Sequence, residues 1–385
     1  MTRTTGTYHR STAAGEVVQA FVPYPLPPRN PSLRVTGELE RLHAEALTGL
    51  ARLDVAGRMV PSTGWFLYGF VRKEAVVSSQ IEGAQATLRD VVTFEATQET
   101  ARPHEVEEVC NYVHAINYAR GELASPKGLP LSTRLLCESH RRLMKGARGA
   151  DKAPGEIRRT QNWIGGTRPG HARFIPPPPE HVAEALAQLE RWLHSDDPLP
   201  PLIKAGLAHV QFETIHPFLD GNGRIGRLLI TLLLEHWKLM PHPLLYLSLA
   251  FKRHQSDYYA RLSAVRTDGD WEGWTAFYLR CVREAADDGV EVAGGLFELL
   301  GKDRRRLASN RRATVAAIQL LDLLPDHPVT TAVRVARLLK ITAPTARKAV
   351  DVAVESGILR EISGKARDRV FAYHKYLQIL TGDES

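Results

Sequence analysis

From Leu33 to about Gly121 apolar residues return at intervals of three and four, as at Phe66, Phe70, Val77 and Ile81, and further helical patterns run to about Leu300. That spacing lays one apolar stripe along each segment, so most of this chain must pack as amphipathic helices. No period of 20 to 50 residues repeats along it, which argues against a solenoid. The longest apolar run, Leu228 to Leu234, falls far short of the roughly 20 residues that cross a bilayer. The N-terminus has no apolar core followed by a small-residue cleavage site, so the chain is expected to be cytoplasmic, with no membrane association. Its 385 residues, 43% hydrophobic and 24% charged, suit two or three globular domains. Cys110, Cys137 and Cys281 are odd in number and lack metal-ligand spacing, as expected for reduced thiols without a catalytic role.

Three stretches depart from the helical pattern. Residues 1–33 are polar and then proline-rich, which predicts an extended arm over the surface. Between Gly146 and Pro179, Gly, Pro and aromatics predict a loop with a short hairpin, its strands at Asn162 to Ile164 and Arg173 to Ile175. Helices are then expected at about His181 to His194, Pro201 to Phe212 and Gly223 to Trp237. Near the C-terminus, helical patterns at Arg311 to Leu323, Thr331 to Leu339 and Pro344 to Glu355 precede alternating runs at Ile358 to Ile362 and Arg369 to Tyr373. Three helices followed by a two-stranded hairpin is the layout of a winged helix-turn-helix domain.

Charge is distributed unevenly. Residues 301–385 carry 16 Lys and Arg against 9 Asp and Glu, which accounts for the whole formal charge of +7, while residues 1–300 balance at 34 each. A basic surplus confined to one end fits contact with nucleic acid, and equally a solvated face.

The chemistry concentrates in His216-Pro217-Phe218-Leu219-Asp220-Gly221-Asn222-Gly223-Arg224-Ile225-Gly226-Arg227, between one helix and the apolar start of the next. Gly221 and Gly223 allow a close backbone approach, so that amides at the helix start converge on an anion. Arg224 and Arg227, three apart, share a helix face and offer two guanidinium forks to a polyphosphate. Asp220 would repel that anion unless a hard divalent cation such as Mg²⁺ bridged the two. His216 suits deprotonation of a hydroxyl near neutral pH, and Asn222 donation to a phosphate oxygen. The bland alternative is a helix N-terminus behind a Gly/Asn/Asp turn. Eight specified positions within twelve have a chance frequency on the order of 10⁻¹⁰ per start site, which disfavours it.

The pattern H-x-F-x-[DE]-G-N-G-R-x-x-R is similar to the signature of the Fic family, matched at His216, Phe218, Asp220, Gly221, Asn222, Gly223, Arg224 and Arg227. The resemblance implies a mainly α fold: a Fic-type helical bundle with a short β-hairpin flap, followed here by a small winged-helix domain. It implies a protein adenylyltransferase, an enzyme moving AMP from ATP to a Tyr, Thr or Ser hydroxyl of a target protein or of itself. His216 would be the base and Asp220 the Mg²⁺ ligand. Gly221, Asn222, Gly223 and Arg224 would hold phosphates, Arg227 the γ-phosphate, and Phe218 would anchor the loop. Transfer of UMP, GMP or phosphate by the same fold stays open.

Ser78-Ser79-Gln80-Ile81-Glu82-Gly83 resembles the family's inhibitory motif [ST]-x-x-x-E-[GN] through Ser78, Glu82 and Gly83. By that resemblance a helix at about 66–83 would set Glu82 against Arg227 and spoil the ATP pose. The equivalent glutamate serves in some relatives to remove AMP. The hairpin, with Asn162, Trp163, Ile164, Phe174 and Ile175, resembles the flap over which a target segment is laid as an added strand. Tyr258 and Tyr259 follow a run resembling the adenine pocket, although such aromatics also serve as core. The implied domains are residues 1–125, 126–300 and 301–385. In the tail, Arg347 and Lys348 on the second helix of the turn and Lys365, Arg367 and Arg369 at the wing would meet DNA, unless the module docks protein or dimerises the chain. A DNA-binding regulator with the Fic unit as nucleotide sensor is therefore the competing reading, and a homodimer is compatible with either. His209 and His254 are expected to be packing or surface residues. No zinc HExxH, Walker lysine loop, nucleophile elbow or GxGxxG pattern occurs.

Overall fold

The computed structural model describes residues 3–59, 63–146, 149 and 151–382. It opens with an antiparallel hairpin, β1 (Gly6–Ala13) and β2 (Glu16–Pro23), in register from Gly6 opposite Pro23 to Ala13 opposite Glu16. This replaces the extended arm expected for residues 1–33. Ala14 and Gly15 take positive φ, as a two-residue hairpin turn requires, and Val18 and Ala20 turn one face inward. The prolines that suggested an arm begin only at the end of β2.

Helices follow: α1 (Glu38–Met59), α2 (Thr63–Ile81), α3 (Leu88–Thr97), α4 (Pro103–Ala124) and α5 (Thr133–Leu143). Local chemistry sets several starts. Thr87 and Asp90 form a reciprocal capping box before α3, and the Ser132 hydroxyl accepts from the Leu135 amide at the start of α5. The next are α6 (Pro179–Leu193), α7 (Pro201–Ile215), α8 (Asn222–His236), α9 (Leu247–Arg253), α10 (Gln255–Thr267) and α11 (Trp271–Ala308). Helices α7 and α8 form the centre: α7 is buried from Leu202 to Ile215, on every face, and α8 along most of its length. A helix without a wet face must be wrapped by others. Here α1, α2, α4, α5, α6 and α11 do so.

The tail comprises α12 (Val315–Leu323), β3 (Val329–Thr331), α13 (Ala332–Leu339), α14 (Ala343–Glu355), β4 (Arg360–Glu361), β5 (Val370–Ala372) and α15 (His374–Thr381). Its antiparallel sheet has the order β3-β5-β4, so β3 and the closing helix α15 add to the three helices and two strands read from the sequence. Strand β3 is three residues long, too short to leave an alternating signal. The tail docks on the helical body. Lys365 pairs with Glu99 at 2.9 Å, Tyr373 donates to Asp303 at 2.8 Å, and Arg334 donates to the Glu95 carbonyl. Gly69 on α2 leaves room for Leu380 and Tyr376 of α15.

Among the described residues no helix is long and apolar enough to cross a membrane, and Cys110, Cys137 and Cys281 are free thiols.

Candidate active site

The segment from His216 to Arg227 closes α7 and opens α8. His216 caps α7 with φ +49°, and Gly221 enters α8 at φ +76°, so the chain reverses between two left-handed residues. Asn222 locks that reversal. Its Oδ1 accepts from the Phe218 N–H at 2.9 Å and its Nδ2 donates to the Phe218 carbonyl at 2.8 Å. The Asn222 side-chain amide thereby bonds the loop itself through its oxygen and one N–H, a role that its sequence reading as a phosphate donor did not foresee. Phe218 is buried as expected of an anchor, stacked on His140 with ring centroids 3.8 Å apart. The Gly155 N–H donates to His140 Nδ1 at 2.8 Å, which leaves Nε2 to donate to the Asp220 carbonyl at 3.0 Å. Burial pushes the His140 imidazole down to about 4, so it holds the loop as a neutral ring.

Asn222, Gly223 and Arg224 form the first turn of α8, where amides have no carbonyl inside the helix to bond. Beside them stands the half-exposed Asp220 carboxylate, its Oδ1 accepting from the Gly221 N–H at 2.6 Å. Across the turn lies His216. Burial, reinforced by the Arg158 and Arg266 cations, pushes its imidazole down to about 3, so at neutral pH it is an unprotonated base.

The two arginines do not converge on one point. Arg224, 3% exposed, turns into the body and bonds Glu108 at 2.5 Å. Arg227 meets the end of α2: Nε donates to the Ser78 hydroxyl at 2.8 Å, and Nη2 to the Ser78 carbonyl at 2.9 Å and to Glu82 Oε1 at 2.7 Å. Burial alone would lower the Arg227 pKa, but the Glu82 carboxylate more than offsets it and the net shift is upward. Gly83, at φ +98°, ends the helix just past Glu82. The sequence placed Ser78 and Glu82 near this site, and the structure brings both onto one guanidinium.

The flap is slighter than two three-residue strands. Only Ile164 and Phe174 pair, the Ile164 N–H donating to the Phe174 carbonyl at 2.9 Å, around a 3-10 turn at Pro169–His171. Positive φ at Gly165 and Gly166, and prolines from Pro176 onward, stop the ladder on either side. Trp163, Ile164, Phe174 and Ile175 are half-buried, and Asn162 donates to the Phe218 carbonyl at 3.2 Å. Strand β2 flanks the second arm, the Phe21 N–H donating to the Ile175 carbonyl at 2.9 Å.

Tyr258 does not offer a ring to a base. It is 1% exposed within a cluster of Phe251, Trp274 and His209, with His209 Nε2 at 2.8 Å from its hydroxyl; only Tyr259 has an open face. His254 pairs with Glu284 at 2.8 Å on the surface. In the tail Arg347, Lys348 and Arg367 are exposed, whereas Lys365 is paired with Glu99, and Arg369 lies 3.7 Å from Asp351.

Four residues near the reversal carry no motif signal: His140, Arg158, Glu213 and Arg266. Burial pushes Glu213 up to about 7, although Arg227 pulls the other way, and its Oε1 lacks a hydrogen-bond partner among the described residues. Arg266 stacks over Phe174 of the flap at 3.9 Å. These positions are brought together only by folding.

Comparison with known proteins gives this arrangement relatives. Residues 130–234 match the Fic/DOC family and residues 40–121 the Fic/DOC family N-terminal region. A protein adenylyltransferase Fic of Drosophila grimshawi is 30% identical over 248 residues, 63% of this chain and 46% of that protein. The protein adenylyltransferase fic-1 of Caenorhabditis briggsae is 33% identical over 129 residues, 33% of this chain and 24% of that one. The chain thus spans less than half the length of these curated relatives. A crystal structure of a Fic family protein from Desulfovibrio desulfuricans superposes with TM-score 0.58 at 22% identity, covering 88% of this chain and 97% of that one. A fragment of C. elegans Fic-1 gives 0.51 at 22% identity, covering 68% and 74%. Matched over residues 40–121 and 130–234 and similar in overall fold to solved Fic structures, the chain carries the N-terminal and central regions of the Fic/DOC family.

Proposed function

We propose that the protein is an adenylyltransferase that moves AMP from ATP to a hydroxyl of a protein, its own included, and that it holds itself largely off. The observation that carries this reading is the seating of Arg227 on Ser78 and Glu82 beside an otherwise complete phosphate-binding turn. The names of the curated relatives point to the same reaction.

In the reaction the neutral His216 takes the proton of a Tyr, Thr or Ser hydroxyl laid against the flap. The hydroxyl oxygen bonds the α-phosphorus as the bond to pyrophosphate breaks. First-turn amides of α8 at Gly221 to Arg224 receive the phosphates, and Arg227 takes the γ-phosphate once Glu82 lets go. A single carboxylate, Asp220, fits Mg²⁺ delivered with its nucleotide, since that ion binds through one or two carboxylates plus substrate phosphates. Such an ion neutralises phosphate charge. Glu82, a carboxylate on the nucleotide side, also suits activation of water for AMP removal. Transfer of labelled AMP to protein is expected to vanish in His216→Ala, and persistence of transfer there overturns the reading.

A second reading concerns the tail. Exposed Arg347 and Lys348 on α14, in a tail that also carries a three-stranded sheet, favour a winged helix that meets duplex DNA, which would make the chain a regulator with the Fic unit as nucleotide sensor. Salt-sensitive duplex binding that is lost when both are replaced by alanine supports it, and binding that survives the replacement overturns it. We assign residues 1–125, 126–300 and 301–385 to inhibitory, catalytic and tail units.

A further inference from the structure

Arg158 precedes the flap and is 2% exposed, yet its hydrogen bonds go to backbone carbonyls and none to a carboxylate. Nε donates to the His216 carbonyl at 2.9 Å, Nη1 to Thr160 at 3.2 Å, and Nη2 to Pro177 at 2.6 Å and Ile215 at 3.4 Å. Its own N–H donates to the Pro217 carbonyl at 2.9 Å. Burying a cation whose hydrogen bonds reach no carboxylate is expensive, and burial lowers this guanidinium to about 10, although the Glu180 charge pulls the other way. Something must hold it there.

The carbonyls explain it. Ile215 and His216 supply the last carbonyls of α7, which a helix end leaves without partners and where its dipole is negative. His216 sits at φ +49°, a left-handed conformation that a residue with a Cβ keeps only when its surroundings impose it. Three consecutive peptide oxygens, at Ile215, His216 and Pro217, are bonded by Arg158. The other two acceptors, Thr160 and Pro177, bracket the flap. One side chain therefore joins both feet of the flap to the peptide that carries His216, and the Asn162 bond to the Phe218 carbonyl is a second tie.

We propose that Arg158 is a positioning residue: it fixes the flap, and so the target hydroxyl laid on it, relative to the His216 imidazole. The proposal rests on the reading of His216 as the base. It separates two parts of the site. The hydroxyl-to-base geometry depends on Arg158, whereas the nucleotide is held by the α8 turn and Arg227, which Arg158 does not touch. Misplacement of reacting groups by about 1 Å can cost on the order of 10²-fold in rate.

The test uses the full chain carrying Glu82→Gly, with α-labelled ATP and self-labelling as readout, and adds Arg158→Gln, Arg158→Lys or His216→Ala. Arg158→Gln is expected to lower kcat by roughly 10- to 100-fold while KM for ATP stays within about twofold. Arg158→Lys, which restores a cation and one or two of the bonds, is expected to recover part of that loss at an unchanged melting temperature. Should Arg158→Gln fail to fold, Arg158→Lys carries the test through a smaller fall in kcat at constant KM. An unchanged kcat in the variants, or a loss that follows KM and the melting temperature, overturns the proposal. Transfer surviving in His216→Ala overturns the underlying reading of the base. Transfer lost in His216→Ala but intact in the Arg158 variants overturns the positioning role alone.

Discussion

Glu82 Oε1 and Arg227 Nη2 stand 2.7 Å apart at the start of α8, and they fit together there because residue 223 has no Cβ. A Cβ on Gly223 would collide with the Glu82 carboxylate and lie 3.0 Å from Arg227 Nη1. On the proposed reading, the glycine that leaves the α8 turn open to phosphates is also the one that admits Glu82. Phosphate and carboxylate would then compete for one guanidinium and one small volume.

Ser78 shares the hold on Arg227 through its hydroxyl and its carbonyl. Ser78→Ala removes only the hydroxyl, a bond to a charged group worth about 1.5 to 3 kcal/mol. Self-labelling should rise to a level between those of wild type and Glu82→Gly. Labelling equal to wild type would count against a role for Ser78 in restraint.

Gly223→Ala should couple to residue 82. In wild type the new methyl meets the Glu82 carboxylate, whereas in Glu82→Gly that clash is gone. A double-mutant cycle on urea unfolding should give an interaction energy of about 1 kcal/mol or more, with Gly223→Ala costing more when Glu82 is present. Strict additivity would mean that Glu82 does not occupy this volume.

Glu213, at about 7 in the fold against 4.5 as a free side chain, ties stability to pH. Its folded-state pKa is raised, so its contribution is fully present below about 4.5 and is lost as pH climbs through 7. Glu213→Gln stays neutral throughout. The variant should gain stability over wild type between pH 5 and pH 8, by a few kcal/mol at 1.4 kcal/mol per unit. Unfolding midpoints at the two pH values measure it, and a difference that does not change with pH would contradict the shift.

Much of this was legible in the sequence where function rides on a contiguous run. The run His216 to Arg227 marked the turn between α7 and α8, and the family resemblance of the Ser78 to Gly83 motif pointed to the partner of Arg227, where Glu82 is found. The interval pattern gave α6, α7 and α8 to within three residues at either end. The N-terminal hairpin was hidden because β1 is polar along its length and prolines begin at the end of β2. Asn222 reads as a phosphate donor by residue type, but its amide finds the Phe218 backbone four residues away, which only the reversed loop brings near. Likewise Arg224 meets Glu108, 116 positions away in the chain, and Arg158 meets His216 at a separation of 58. Pairings of that range leave no local spacing to read.

The central claim is that Glu82 restrains an adenylyltransferase by holding Arg227. The most direct measurement incubates wild type and Glu82→Gly in parallel with α-labelled and γ-labelled ATP and follows label on the protein itself. The α-label alone should accumulate, and its rate should rise at least tenfold in Glu82→Gly, since a charged hydrogen bond of about 1.5 to 3 kcal/mol no longer opposes the γ-phosphate. Equal α-label incorporation by both proteins, or accumulation of the γ-label, would contradict the account.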